Sequence, residues 1–275
     1  PFNGSSPGGW GWTNHTGSVP DGDDTPGALL ALLKLNPQPS EQVIHAVISG
    51  CNWLVGLQNK DGGFPTFSKG WGKLPFDQSC ADLTGHALLA LAVSSDEVGN
   101  SLPHQQIKRY QTTMIKAITY LQQVQQADGS WIPLWFGNQR NKNQQNPVYG
   151  TARVTAYLID LLNCTGVPVA MKAQLNPTIN GAQHYLVRVQ NSDGSWGGDA
   201  NLPGSIEETA LAISALTSCS EAKSACERGS AWLMKQHLPL QSSPIGLYFA
   251  SLWYDEKTYP LVMYIEALMS IEEKP

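Results

Sequence analysis

The chain has 275 residues, enough for one large domain or two small ones, with a sizeable core either way. Charged residues make up only 14% of it, against roughly 25% in ordinary globular domains, while nine Trp, 26 Gly and 18 Pro point to short loops around a large apolar interior. A net charge of −5 without a Lys/Arg cluster argues against a nucleic-acid partner.

The first residues are polar and Gly-rich, so no signal peptide is expected in them. Gly8-Gly9-Trp10-Gly11-Trp12 reads as the tail of a repeat whose helix would lie upstream of residue 1. An acidic turn follows, Asp21-Gly22-Asp23-Asp24-Thr25, leading into Pro26. Taken alone, it is a plain helix start, with Thr25 as cap, Pro26 at the first helical position and acids favoured by the helix dipole. Periodicity then predicts nine helices, near 25–35, 41–58, 80–93, 105–126, 150–163, 178–191, 205–218, 222–237 and 258–272. Four stretches are apolar around most of their circumference: Pro26 to Leu35, Ala81 to Val93, Thr151 to Leu162 and Ile206 to Leu216. Helices of that kind are buried on both sides. The helices between them carry a polar face and end in Asp-Gly turns. No segment shows sustained period-2 alternation, so no β or α/β fold is expected.

Self-similarity runs along the chain. Trp53-Leu54 through Gln58 and Asp61-Gly62-Gly63-Phe64 is echoed by Tyr120-Leu121, Gln125 and Asp128-Gly129-Ser130-Trp131. A third copy joins Tyr185-Leu186 and Gln190 to Asp193-Gly194-Ser195-Trp196, and a weaker fourth runs from Arg228-Gly229 through Trp232-Leu233 to Gln236. The expected fold is all-α, an α/α toroid of inner and outer helices over residues 1–275. An odd helix count that starts on a buried helix places the first outer partner upstream. Five cysteines, Cys51, Cys80, Cys164, Cys219 and Cys226, form no C-x-x-C pair, which argues against a disulfide scaffold and fits a reducing, cytoplasmic setting. No apolar run approaches the length of a bilayer span, which leaves peripheral membrane contact open.

The repeats resemble the QW motifs of the squalene-hopene and oxidosqualene cyclases, the class II terpene cyclases. Lys116-Ala117-Ile118-Thr119-Tyr120-Leu121 fits the opening of that motif. The likeness covers nearly the whole chain and corresponds to the catalytic C-terminal half of those enzymes. The acidic turn is similar to the family's D-x-D-D-T motif, which implies that Asp23 is the proton donor with Asp21 and Asp24 shaping its network. Ser79-Cys80-Ala81-Asp82-Leu83-Thr84-Gly85-His86 looks like the family's S-A-D-x-T-x-H stretch. Asp82 and His86 are four apart, hence on one helix face, and the resemblance implies that His86 hydrogen-bonds the donor while Asp82 supports it. Protonating an alkene needs a carboxylic acid that stays protonated near neutral pH, and clustered carboxyls raise one member for this purpose.

Aromatic faces stabilise the resulting cations. By resemblance Trp12, Trp135 and Tyr149 are cavity residues. The stretch from Pro244 to Tyr254 stands where the family clusters Phe and Tyr around late cations, with Leu247 and Ser251 at aromatic sites and Tyr254 as the substrate-binding member. A polar insertion, Asn138 to Asn146, separates Trp135 from Tyr149. Glu207 and Glu208 read as ordinary dipole complementation at a helix start. The expectation is an isomerase-type intramolecular transferase that cyclises squalene or a similar polyprene, with no metal and no cofactor, working with an upstream helical domain. The alternative is a non-catalytic toroid binding an isoprenoid or a protein. A glycosidase or lyase on an (α/α)₆ barrel would split its carboxylates across a cleft, and a protein prenyltransferase would need a D-x-C zinc motif that is absent.

Overall fold

The computed structural model describes residues 7–15, 19–67, 77–247 and 252–272. Among these, nine α-helices follow in order: α1 (Asp24–Leu35), α2 (Glu41–Leu57), α3 (Ala81–Val98), α4 (His104–Val124), α5 (Pro147–Asn163), α6 (Val169–Arg188), α7 (Ile206–Leu216), α8 (Lys223–Leu233) and α9 (Tyr259–Glu272). One antiparallel pair, β1 (Ile245–Leu247) and β2 (Leu252–Tyr254), precedes α9 and aligns Ile245 with Tyr254. The chain divides into two compact units, one of residues 1–124 and 160–175, the other of residues 125–159 and 176–275.

Apolar and amphipathic helices alternate as the sequence implies. In the first unit α3 packs against α1, α2 and α4, and every residue from Ala81 to Ala92 is buried. In the second, α7 packs against α8 and α9 and is buried from Ile206 to Ile213. By contrast α4 buries one stripe, Tyr110, Thr113, Met114, Ala117, Ile118 and Leu121, at the i, i+3, i+4 spacing of an outer helix. α1 departs from the expectation of two buried sides. It packs against α2 and α3, which cover only the face of Thr25, Pro26, Leu29 and Leu33, and Leu35 is left exposed.

The Asp-Gly turns are built the same way three times. A Gln at each outer-helix end donates twice from its Nε2. Gln58 bonds the Gly62 carbonyl at 2.8 Å and Thr113 of α4 at 2.9 Å. Gln125 bonds Gly129 and Thr178 of α6, both at 2.9 Å. Gln190 bonds Gly194 and Ala225 of α8, both at 2.8 Å. One amide thus closes its own turn and fastens the next outer helix. Within each turn the Asp (Asp61, Asp128 or Asp193) accepts the backbone N–H two residues on. The glycine sits at φ of +93° to +94°, a left-handed geometry that an L side chain resists. The weaker fourth copy keeps no such tie among the described residues: Gln236 bonds Trp232 within its own segment.

A second recurrence fixes the inner helices. The backbone N–H of the aromatic that ends each turn donates to a threonine in the first turn of the following inner helix. The pairs are Trp10 with Thr25, Phe64 with Thr84 and Trp131 with Thr151, each at 2.9 Å, and Trp196 with Thr209 at 3.0 Å. All four threonines are fully buried, so each hydroxyl satisfies a donor that burial would otherwise leave unpaired.

Candidate functional site

The acidic turn is shaped by Asp21. Its Oδ1 accepts the backbone N–H groups of Asp23 at 2.9 Å and Asp24 at 2.7 Å, satisfying two donors at the start of α1. The Asp21 carboxyl is almost fully buried. Burial pushes it up to about 8, and its hydrogen bond with the Asp24 side chain and the Asp24 charge push the same way against the two backbone donors.

Asp23 is the open member of the set, with its side chain 45% exposed. Its Oδ1 lies 3.1 Å from Nδ1 of His86, which projects from α3 and is itself buried. In the tautomer with the proton on Nδ1, the imidazole donates to Asp23, which stabilises the carboxylate left when Asp23 gives up its own proton. Asp82, one helical turn before His86, is buried completely. Its Oδ1 accepts the Cys80 thiol at 2.5 Å, and burial raises its carboxyl, with the neighbouring Asp23 charge adding to the effect. The sequence-predicted five, Asp21, Asp23, Asp24, Asp82 and His86, therefore form one connected group. Clustered carboxyls do raise one another, as the buried flanks Asp21 and Asp82 show. Near neutral pH Asp21 favours the uncharged form, and Asp23 combines exposure with a hydrogen-bonding imidazole. The group suits delivery of one proton to an apolar partner.

In the second unit, Tyr149 is buried and packs on Phe136 with ring centroids 4.6 Å apart. Trp135 is half-buried in the loop before it, and that loop is tied to β1 by a 3.0 Å bond from Gly137 N to the Gly246 carbonyl. Of the other predicted aromatics, Trp12 is 71% exposed and Tyr254 is 40% exposed, so neither forms a buried wall. Ser251 lies outside the described residues.

Glu207 and Glu208 correct the sequence reading. Dipole complementation describes an exposed carboxylate, yet both side chains are buried, at 3% and 2% exposure. Glu208 Oε1 accepts the amides of Asn138 at 3.1 Å and Asn146 at 2.9 Å, so the polar insertion exists to hold this carboxyl. Glu207 Oε1 accepts Ser243 N at 2.7 Å. The Oε2 atom of each is buried without a hydrogen-bond partner among the described residues. Burial pushes Glu207 up to about 7, with the Glu208 charge adding to it, and burial also raises Glu208. A signal was available: Glu207-Glu208-Thr209 repeats the acid-x-Thr spacing of Asp23-Asp24-Thr25 and Asp82-Leu83-Thr84. Among the described residues no cluster of His, Cys, Asp and Glu is arranged to hold a metal ion.

Residues 3–267 match the model of the squalene-hopene cyclase C-terminal domain. The chain belongs to that family. An enfumafungin synthase from Hormonema carpetanum is 28% identical over 90% of this chain and 19% of its own length. A squalene–hopene cyclase from Bradyrhizobium diazoefficiens is 26% identical over 78% of this chain and 32% of its own. The chain thus spans less than a third of these relatives. Among solved structures, an ent-copalyl diphosphate synthase from Streptomyces platensis superposes with a TM-score of 0.67 at 20% identity, covering 96% of this chain and 44% of that one. The likeness bears out the all-α, α/α toroid fold class expected from the repeats. Family membership also sets aside the glycosidase and prenyltransferase readings.

Proposed function

We propose that this squalene-hopene cyclase-family chain carries the acid-initiated half of a class II terpene cyclisation, with Asp23 as the proton donor to squalene or a related polyprene. The observation that carries the proposal is the 3.1 Å contact between Asp23 and His86, beside two carboxyls that burial pushes up. Asp21 is too buried to meet a substrate and already caps the turn, whereas Asp23 is open. His86 positions Asp23 and stabilises its conjugate base; Asp24 and Asp82 complete the network. Trp135 and Tyr149 are assigned to cation stabilisation, worth up to about 2 kcal/mol per desolvated aromatic face, with Trp12 and Tyr254 as outer substrate contacts.

The relatives are several times longer than this chain, so the activity is assigned to the complete protein, with an upstream helical domain as partner. Peripheral contact with a membrane from the cytoplasmic side belongs to the same proposal, since the substrate is a lipid. The test is Asp23→Asn in the complete protein, supplied with squalene in detergent micelles. Product formation is expected to fall at least about a thousandfold, the scale of losing a positioned general acid, with the helical circular dichroism unchanged. Product formation within a few-fold of wild type would overturn the assignment of Asp23, whereas binding of squalene without turnover by the wild type would favour a non-catalytic isoprenoid-binding toroid.

A further inference from the structure

The 3.1 Å contact between Asp23 and His86 spans two helices, and only one of its ends is inside a helix. His86 lies within α3, whereas Asp23 is the capping residue before α1, so its place depends on the acidic turn. A residue in that position commonly spends its side chain on its own helix. Asp23 makes no such bond; the Asp21 carboxyl takes the backbone N–H groups of Asp23 and Asp24 instead. Whatever holds the turn therefore decides where the Asp23 carboxyl points.

A short buried segment, Phe64-Pro65-Thr66, is bonded to both sides of the contact. On the α3 side, Phe64 N donates to Thr84 Oγ1 at 2.9 Å, and the Phe64 carbonyl accepts Cys80 N at 3.0 Å. On the α1 side, the Thr66 carbonyl accepts the N–H of Gly22, the residue between Asp21 and Asp23. Pro65 fixes one backbone angle between the two anchors, which makes the segment a stiff strut. The approach at Gly22 leaves no room for a side chain. A Cβ there would run into the Pro65 carbonyl oxygen, and would lie 3.2 Å from that of Thr66 and 3.5 Å from Leu57 Cδ2. Both oxygens belong to the backbone of a buried segment, which has no rotamer to change, so the turn itself must yield. Reaching ordinary contact takes a retreat of about 1 Å, and a misplacement of about 1 Å costs on the order of a hundredfold in rate.

We propose that Gly22 and the strut Phe64-Pro65-Thr66 are a positioning device that sets the reach of Asp23 to His86. This inference rests on the cyclisation reading, in which the His86 N–H stabilises the carboxylate that Asp23 becomes. Gly22 has no side chain to offer a substrate and acts through Asp23. The strut ties the acidic turn to the first turn of α3, so donor and imidazole keep one spacing while α1 and α3 carry the rest of the packing.

The test is a double-mutant cycle on squalene conversion by the complete protein, with Gly22→Ala, His86→Ala and the two combined. Each single variant is expected to lose about a hundredfold. The combination is expected to stay within a few-fold of His86→Ala, because a displaced Asp23 has no imidazole left to miss. Losses that multiply would show that Gly22 acts elsewhere and overturn the inference, as would wild-type conversion by either single variant. General weakening of the fold lowers both backgrounds alike and does not give this saturation. Thr84→Val and Thr84→Ser probe the other anchor. Valine keeps the shape but leaves Phe64 N without its acceptor, so conversion should fall, again without adding to His86→Ala. Serine keeps the hydroxyl and should convert squalene within a few-fold of wild type. Should Gly22→Ala lose its helical circular dichroism, the Thr84 pair decides alone, and equal conversion by its two members overturns the inference. Absence of conversion by the wild type overturns the cyclisation reading and this inference with it, whereas conversion unaffected by Gly22→Ala removes the inference alone.

Discussion

Replacing Gly194 by Ala tests whether the repeated Asp-Gly turn is a fixed joint or a tolerant loop. The residue has φ of +94°, and an added Cβ would lie 2.6 Å from the Arg228 carbonyl oxygen and 2.9 Å from its carbon. Left-handed backbone costs an L residue about 1–2 kcal/mol. The clash adds to this, because its partner is helix backbone with no rotamer to change. Reaching ordinary contact at 3.4 Å needs a retreat of about 0.8 Å by α8 or the turn, and overpacking of this kind costs about 1–3 kcal/mol. Such a retreat also stretches the two 2.8 Å bonds that Gln190 makes to Gly194 and Ala225. The expected loss is about 2–5 kcal/mol. Gly56 is the internal control: it is exposed within α2, and its added Cβ would meet nothing within 4 Å. Gly56→Ala should stabilise by about 0.5–1 kcal/mol, the helix-propensity difference. Urea unfolding of the complete protein, followed by circular dichroism, measures both. A Gly194→Ala loss below about 1 kcal/mol would refute the joint.

Two further measurements follow from the same geometry. Gln125→Leu removes both bonds from its Nε2 and should cost about 2–3 kcal/mol, since two carbonyls lose a donor at about 1 kcal/mol each or more; a midpoint shift no larger than that of Gln123→Leu, at an exposed position near the end of α4, would show the tie to be idle. The raised carboxyls set the sign of the pH dependence. Asp21 goes from 3.8 to about 8 and Glu207 from 4.5 to about 7, so between their ordinary and folded values the native state binds more protons than the unfolded one. Stability is then full below about pH 4 for these groups and declines as pH rises towards 8, with Glu207 accounting for roughly 3 kcal/mol of it. Glu207→Gln should flatten its share of the slope between pH 4.5 and 7; a steeper decline in that variant would contradict the burial argument.

Helix periodicity was legible because burial on the inner helices is nearly all-round, as from Ala81 to Ala92 in α3. Eight of the nine helix starts lie within three residues of the periodicity reading, and α6 is the exception. It begins at Val169, and Pro177 stands inside it, although proline removes a helical donor. The β1–β2 pair escaped because three-residue strands are too short to show a period of two. The cluster around Asp23 was legible through motif likeness, but which of its carboxyls would be raised was not, since that depends on burial. Glu207 and Glu208 escaped for the same reason: a Glu in a first helical turn looks identical in sequence whether it faces water or is held by Asn138 and Asn146.

Magnitudes show why one acid-x-Thr spacing can hold carboxyls as different as Asp23 and Glu207. A helix N-terminus favours a carboxylate by about 0.3–1 kcal/mol, and every inner helix offers this at its first turn. The Asp23 side chain is 45% exposed, so solvent reaches its carboxyl. At Glu207, the displacement from 4.5 to about 7 is roughly 3 kcal/mol against the anion, several times the dipole. Burial therefore decides the outcome at Glu207. Opening that carboxyl to solvent, without any change of residue type, should return it towards its ordinary 4.5.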